Sequence, residues 1–305
     1  MELIKPGTNL NFVGRMKIAS IASAIIIIIS IISLLFHGGP NLGIDFAGGT
    51  QVQIKFVDKT EVQNIRDSLA TINLGKSVIQ QFGYESNNEF LIKTEKSSSE
   101  MKGLSSSIAE ALTDQFGKDA FEVRRVEVVG PKVGKDLRQK GMLAMIYAMI
   151  GILIYITWRF EFRYAIGAII ALVHDVLITV GIFSLLGKEF SLPIIAALLT
   201  IIGYSLNDTI VVYDRIRENL RKARRQELPE VVNSSINQVL SRTILTSGTT
   251  LLVVGALFFL GGAVIHDFAF ALLVGVVIGT YSSIFIASPT ILAWETVWPS
   301  KKKRK

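Results

Sequence analysis

Three ionisable residues stand inside long apolar runs of the sequence, His174, Asp175 and Asp208, and a fourth, Arg242, stands at the edge of one. Charge at membrane depth is costly, so it marks ion or proton pathways by default. Asp208 ends the stretch Gly203-Tyr204-Ser205-Leu206-Asn207-Asp208, past the middle of one run, and Arg242 opens another, Ser241-Arg242-Thr243-Ile244-Leu245-Thr246-Ser247-Gly248-Thr249-Thr250. On a helix Arg242, Thr246 and Thr249 share one face, because residues three, four and seven apart stack together. The result is a polar stripe at a depth Asp208 could reach. A carboxyl whose protonation depends on the approach of a guanidinium is a switch, and hydroxyls beside it position water for the transfer. The chemistry open to these residues is proton carriage, with Asp208, Arg242, Thr246, Asn207 and Asp175 as the candidate relay.

Plainer readings stand beside this one. Arg242, near the end of its run, reaches the head groups by snorkelling. Asp208 glues helices through Arg242 or a hydroxyl, and His174-Asp175 is an internal hydrogen-bonded pair. Gly275, Gly279 and Ser283, spaced four apart, read as a close-packing face rather than a ligand site. Other chemistries find no support. With no cysteine there is no disulfide, thiolate metal site or cysteine nucleophile, and the three histidines, His37, His174 and His266, leave little for a metal centre. There is no Gly-x-Ser-x-Gly elbow and no His-Glu-x-x-His helix. Ala70-Thr71-Ile72-Asn73-Leu74-Gly75-Lys76-Ser77 imitates a phosphate-binding loop, but a helix precedes it and a strand follows, the reverse of what the phosphate requires. The reading is a protein that is not an enzyme and needs no cofactor or metal.

The elements that must hold these residues follow from composition. Half of the 305 residues are hydrophobic and only 19% are charged, with a mean hydropathy of +0.46, which belongs to a membrane protein. A span needs about 20 largely apolar residues. Six segments approach this: 18–36, 142–157, 164–186, 192–212, 243–260 and 268–288. The first lacks an Ala-x-Ala cleavage site and reads as an uncleaved anchor. Residues 1–36 are thus the N-terminus and first span, 37–140 an external domain, 141–292 spans two to six, and 293–305 a basic tail. Lys and Arg concentrate before the first span, at Arg159 and Arg163, at Arg215 to Arg225, and in Lys301 to Lys305, which fall on one side of a six-span chain. Both termini are therefore expected in the cytoplasm. The net charge of +7 reads as topology and attraction to membrane lipids rather than nucleic-acid binding.

The external segment alternates patterns. Thr50 to Phe56, Ser77 to Phe82, Glu89 to Thr94 and Phe121 to Val129 read as strands. Val62, Ile65, Leu69 and Ile72 form one helical stripe behind a Thr60/Gln63 capping box, and Met101, Leu104, Ile108, Leu112 and Phe116 form another behind Ser97/Glu100. The order β-α-β-β-α-β is the ferredoxin-like arrangement. The fold class is an α-helical polytopic membrane protein with six transmembrane helices and an α+β ferredoxin-like external domain.

Several stretches together carry a family resemblance: Gly43-Ile44-Asp45-Phe46-Ala47-Gly48-Gly49-Thr50, the Val-Gly-Pro-Lys-Val-Gly core within 121–137, Ala171-Leu172-Val173-His174-Asp175, 202–219 with its Tyr-Ser-Leu-Asn-Asp stretch, and 242–250. They cover nearly the whole chain, and it resembles the SecF family of the bacterial SecD–SecF protein-export complex, within the RND superfamily. Ala47 stands where that family usually shows Thr. The resemblance implies a multi-pass protein of the bacterial inner membrane that pairs with a SecD-like subunit beside the SecYEG channel. It implies use of the proton gradient to help draw a translocating polypeptide outward, with Asp208, Arg242 and Thr246 at the family's proton-site positions.

RND-type machines have two halves about a pseudo-two-fold axis; this chain supplies one, so a partner half is expected, with the proton path at their interface. One charge crossing about 100 mV releases roughly 2.3 kcal/mol, whereas swinging a two-state equilibrium from 1:99 to 99:1 takes about 5.5 kcal/mol. More than one proton per cycle, or a nearly balanced pair of conformations, is therefore expected. Two other classes fit the bare topology: half of a small-molecule or lipid exporter, and a non-motor scaffold.

Overall fold

The computed structural model describes residues 8–83, 85–94, 103–222 and 226–298. In chain order the elements are α1 (Phe12–Phe36), α2 (Ile44–Ala47), β1 (Gly49–Phe56), α3 (Val62–Ala70), β2 (Val78–Phe82), β3 (Glu89–Thr94), α4 (Leu104–Phe116), β4 (Phe121–Val129), α5 (Pro131–Arg159), α6 (Phe162–Leu185), α7 (Leu192–Lys222), α8 (Leu228–Leu260), α9 (Gly262–Ser282) and α10 (Ser288–Val297). Among the described residues six helical segments are long and apolar enough to cross a membrane, with α9 and α10 joined into one. Two compact units emerge, one of residues 42–143 with 189–192, the other of the remaining described residues.

The smaller unit is an antiparallel sheet of order β2-β3-β1-β4 with α3 and α4 on one face. Strand alternation decides which face is buried. Val52, Ile54 and Phe56 of β1 and Phe90 and Ile92 of β3 point into a core closed by Ile65 and Leu69 of α3 and Leu104, Ile108 and Leu112 of α4. This is the expected ferredoxin-like order. The expected capping box does not form. Helix α3 starts one residue later than Thr60 allows, with Glu61 at its cap, and the Thr60 hydroxyl donates to Asp58 O at 3.1 Å instead. The second capping box, Ser97/Glu100, and Met101 lie outside the described residues. The loop resembling a phosphate site turns carbonyls, not amides, inward: Arg66 donates to Gly75 O at 2.9 Å and Ser77 O at 3.2 Å. A loop that binds a cation this way is no anion cradle.

In the larger unit, α1 shows how small residues choose neighbours. Its isoleucines at 18, 21, 25, 28, 29 and 32 are exposed, while Ser23, Ser30 and Ser33 are buried. Lipid tails are as apolar as isoleucine, so burial of that side chain gains little, whereas small residues let helices approach and bond. Ser33 Oγ meets Ser184 Oγ of α6 at 2.8 Å, and a Cβ on Gly181 of α6 would collide with Ser30.

The spans run beyond the apolar segments that predict them. The expected loop 213–242 is helical from Tyr213 to Lys222 and again from Leu228. Counting apolar residues stops at the first arginine, but amphipathic helix continues past it. Tyr213 and Ile216 on α7 pack with Val232, Ile236, Val239 and Leu240 on α8. Helix α5 begins at Pro131, ahead of its apolar run, with proline at the position a helix start favours. The final span continues past Ser288 through a π-helical turn, Ser283–Ala287. There the Ser288 hydroxyl donates to Ser283 O five residues back at 3.0 Å.

Candidate functional site

Asp175 and Asp208 lie in two polar nodes of the helical unit, joined through α7 and α9. Asp175 on α6 is fully buried. Its Oδ1 is 2.8 Å from His174 Nδ1, and its Oδ2 accepts from Ser205 Oγ of α7 at 2.6 Å and from Ser282 Oγ of α9 at 2.8 Å. Three helices thus converge on one carboxylate, and buried charge is tolerated where such bonds satisfy it. The His174 ring lies over Tyr281, centroids 6.2 Å apart, and its Nε2 has no partner among the described residues.

Asp208, one helical turn beyond Ser205 on α7, is 2% exposed. Ser247 Oγ of α8 donates to its Oδ2 at 3.3 Å and lies 2.7 Å from Thr280 Oγ1 of α9. Carboxylate and hydroxyls form a short chain of groups that both give and take protons. Asn207 precedes Asp208 on α7, and Arg242 and Thr246 lie on α8 within five residues of Ser247.

The stripe foreseen on α8 differs in its detail. Arg242 and Thr249 are exposed on this chain, whereas Thr243 and Ser247 face inward. The Thr246 hydroxyl donates to Arg242 O at 3.1 Å and Thr243 O at 3.0 Å, and that of Thr249 to Leu245 O at 2.9 Å. Hydroxyls inside helices often turn back on the preceding turn in this way. The direct bond to Asp208 comes from Ser247, a neighbour of the stripe and not a member of it.

Ser205, Ser247, Thr280 and Ser282 are the site residues that side-chain type alone passed over. The available signal was spacing: Ser205 and Asp208 are three apart on one helix, and hydroxyls cluster at Thr280-Tyr281-Ser282-Ser283. Gly275 and Gly279 of α9 face α7, where a Cβ on Gly275 would collide with the Ile201 side chain and one on Gly279 would lie 2.9 Å from Ser205 Cβ. Ser283 is buried and donates to Thr280 O at 2.9 Å. The close approach of α9 to α7 puts Ser282 within reach of Asp175.

Residues 108–297 match the family model for the protein export membrane protein SecD/SecF C-terminal region, and residues 33–59 match that for the SecD/SecF GG motif. The chain is 52% identical to the protein translocase subunit SecF of Magnetococcus marinus, over 96% of this chain and 94% of that one. The chain belongs to the SecF family. To the SecF of Pseudomonas aeruginosa it is 42% identical over 95% of its length and 92% of the relative's. Among solved structures, SecDF of Thermus thermophilus, described as a translocon-associated membrane protein, matches with a TM-score of 0.84 at 41% identity. The SecF-family chain is covered to 95% and spans only 39% of that SecDF chain. SecDF in a super-membrane-facing form matches at the same identity with a TM-score of 0.69.

Proposed function

We propose that this SecF-family chain is one half of a proton-motive-force-driven accessory machine of protein export, with Asp208 as its proton-exchanging group. The observation that carries the reading is the seating of Asp208: a carboxyl 2% exposed, in a helix of membrane-spanning length, bonded to Ser247 of the helix that also carries Arg242. A charge in such a place is costly and so marks a functional group, and a guanidinium that approaches or withdraws sets whether the proton stays. Asn207 and Thr246 modulate the exchange, and Asp175 holds α6, α7 and α9 in register beside it through Ser205 and Ser282.

The partner is a SecD-like half. Helix α7 presents Ala196, Thr200, Gly203 and Asn207 outward at intervals of three and four, and α8 presents Arg242 and Thr249. Small and polar residues at span depth suit another helix far better than acyl chains. A chain that spans 39% of SecDF leaves room for such a half. The complex works beside the SecYEG channel on a translocating polypeptide, in the bacterial inner membrane, with both termini cytoplasmic and anionic lipids against the basic loops. The unequal fits to two SecDF forms, TM-scores 0.84 and 0.69, support an architecture with two conformations for the proton to choose between.

The test is proton flux into vesicles holding this chain with its SecD partner. Asp208→Asn is expected to abolish gradient-driven flux and the accompanying stimulation of export. Native flux in that variant, with loss only of partner copurification, would make Asp208 a structural acid and the chain a scaffold.

A further inference from the structure

We propose that Asp45 is a positioning residue that clamps the start of α7, the helix carrying Asp208, to the glycine-bracketed segment ahead of β1; the proposal rests on the proton-exchange reading of Asp208. The first turn of a helix leaves backbone N–H groups without intrahelical partners. Helix α7 opens Leu192-Pro193, and the proline has no N–H to satisfy. The Leu192 N–H donates to Asp45 Oδ2 at 2.8 Å. A carboxylate there also complements the positive end of the helix dipole. Asp45 is 147 residues away in sequence, so this cap is a tertiary tie and not a local turn.

The surrounding residues hold the cap in place from two sides. Asp45 lies in the one-turn helix α2, and the preceding Gly43 N–H donates to Phe190 O at 3.0 Å. Leu42 forms a parallel bridge to Phe190, and the Phe46 ring is 6.1 Å from that of Phe190. On the other side, the segment rests on the first turn of α5. A Cβ on Gly134 would lie 2.9 Å from Phe46 O, and one on Gly48, at φ +79°, would lie 2.9 Å from Pro131 Cα. A second tie reaches the same connection from the sheet, where Lys93 of β3 pairs with Glu189. All these contacts lie within the smaller compact unit, which includes residues 189–192.

The stretch from Gly43 to Gly49 therefore grips the beginnings of two spanning helices, and one of them carries the proton site. Glycines at 48 and 134 permit the close approach; Asp45 supplies the directional bond. A shift of α7 when Asp208 changes protonation pulls on Asp45, and through it on β1 and the sheet. The Gly43–Gly49 segment is in this account a mechanical coupling.

The experiment uses the complex with its SecD partner, reads proton flux and export stimulation separately, and follows backbone hydrogen exchange over 189–195. Asp45→Ala is expected to leave flux at the native level while export stimulation falls about fivefold, the factor a lost cap of ~1 kcal/mol sets on an equilibrium, and while exchange at the start of α7 speeds up. Asp45→Asn, which still accepts the bond, is expected to restore both. Leu192→Pro removes the donor while keeping a residue suited to a helix start, and repeats the test where Asp45→Ala folds poorly. The proposal is overturned if Asp45→Ala leaves export stimulation and exchange unchanged, if Asp45→Asn loses as much as Asp45→Ala, or if Asp45→Ala stops flux as Asp208→Asn does. Native flux in Asp208→Asn would sink the proton reading instead, and the exchange measurement would still report the cap.

Discussion

Replacing Asp175 separates an acid that carries protons from one that holds helices together. Three donors converge on its carboxylate, from His174, Ser205 and Ser282, at 2.6 to 2.8 Å. Asp175→Ala strands all three in a site with no exposure. Each buried unsatisfied donor costs about 1–3 kcal/mol, a gross loss of ~3–9 kcal/mol. Part is recovered, because Ser282 Oγ already lies 3.1 Å from Gly279 O and turns to it. Bonds between membrane helices also average only about 0.6 kcal/mol when the unfolded chain finds substitutes. A net destabilisation of ~2–4 kcal/mol is expected. Asp175→Asn keeps one oxygen for the His174 Nδ1–H and turns its amide N–H groups to the hydroxyl oxygens of Ser205 and Ser282, which accept as readily as they donate. Only charge assistance goes, worth ~1 kcal/mol. Reversible unfolding in mixed micelles measures both variants, and flux in vesicles follows each. The reasoning is refuted if Asn destabilises as much as Ala. Abolished flux in a stable Asp175→Asn would make Asp175 a carrier in its own right.

Two glycines of similar sequence context are expected to respond in opposite ways. Gly279→Ala places a methyl 2.9 Å from Ser205 Cβ, an overpacking that costs ~1–3 kcal/mol and pushes Ser205 from Asp175; thermal unfolding reads it, and proton flux falls with it. At Gly203, in the interior of α7, an added Cβ meets nothing within 4 Å in this chain, so Gly203→Leu raises the isolated subunit's stability by up to ~1 kcal/mol through helix propensity. Copurification of the SecD-like half is expected to drop in that variant, since Gly203 lies on the outward stripe of α7; undiminished copurification would move the partner face elsewhere.

Span centres were legible because twenty apolar residues leave few alternatives, and strands because Thr50 to Phe56 and Glu89 to Thr94 alternate cleanly. Span ends were not, because Tyr213 and Ile216 pack on Val232 and Ile236 beyond the first arginine, where hydropathy has already fallen. At the site, the costly residues Asp175 and Asp208 announced themselves by charge. Their partners did not, because a serine in a span is as readily a packing residue as a donor, and only the register of four helices selects Ser205, Ser247 and Ser282. Arg242 and Thr249, conspicuous by type, face outward on this chain. The bond from Leu192 to Asp45 has no local signature, since its two ends are joined by folding alone.

Infrared difference spectroscopy of the reconstituted complex, stepped between acidic and alkaline baths, observes the decisive group itself. The account predicts a protonated-carboxyl band that grows and fades with the bath, shifts in deuterium oxide, and vanishes in Asp208→Asn while persisting in Asp175→Asn. A titrating band that survives removal of Asp208 would contradict it.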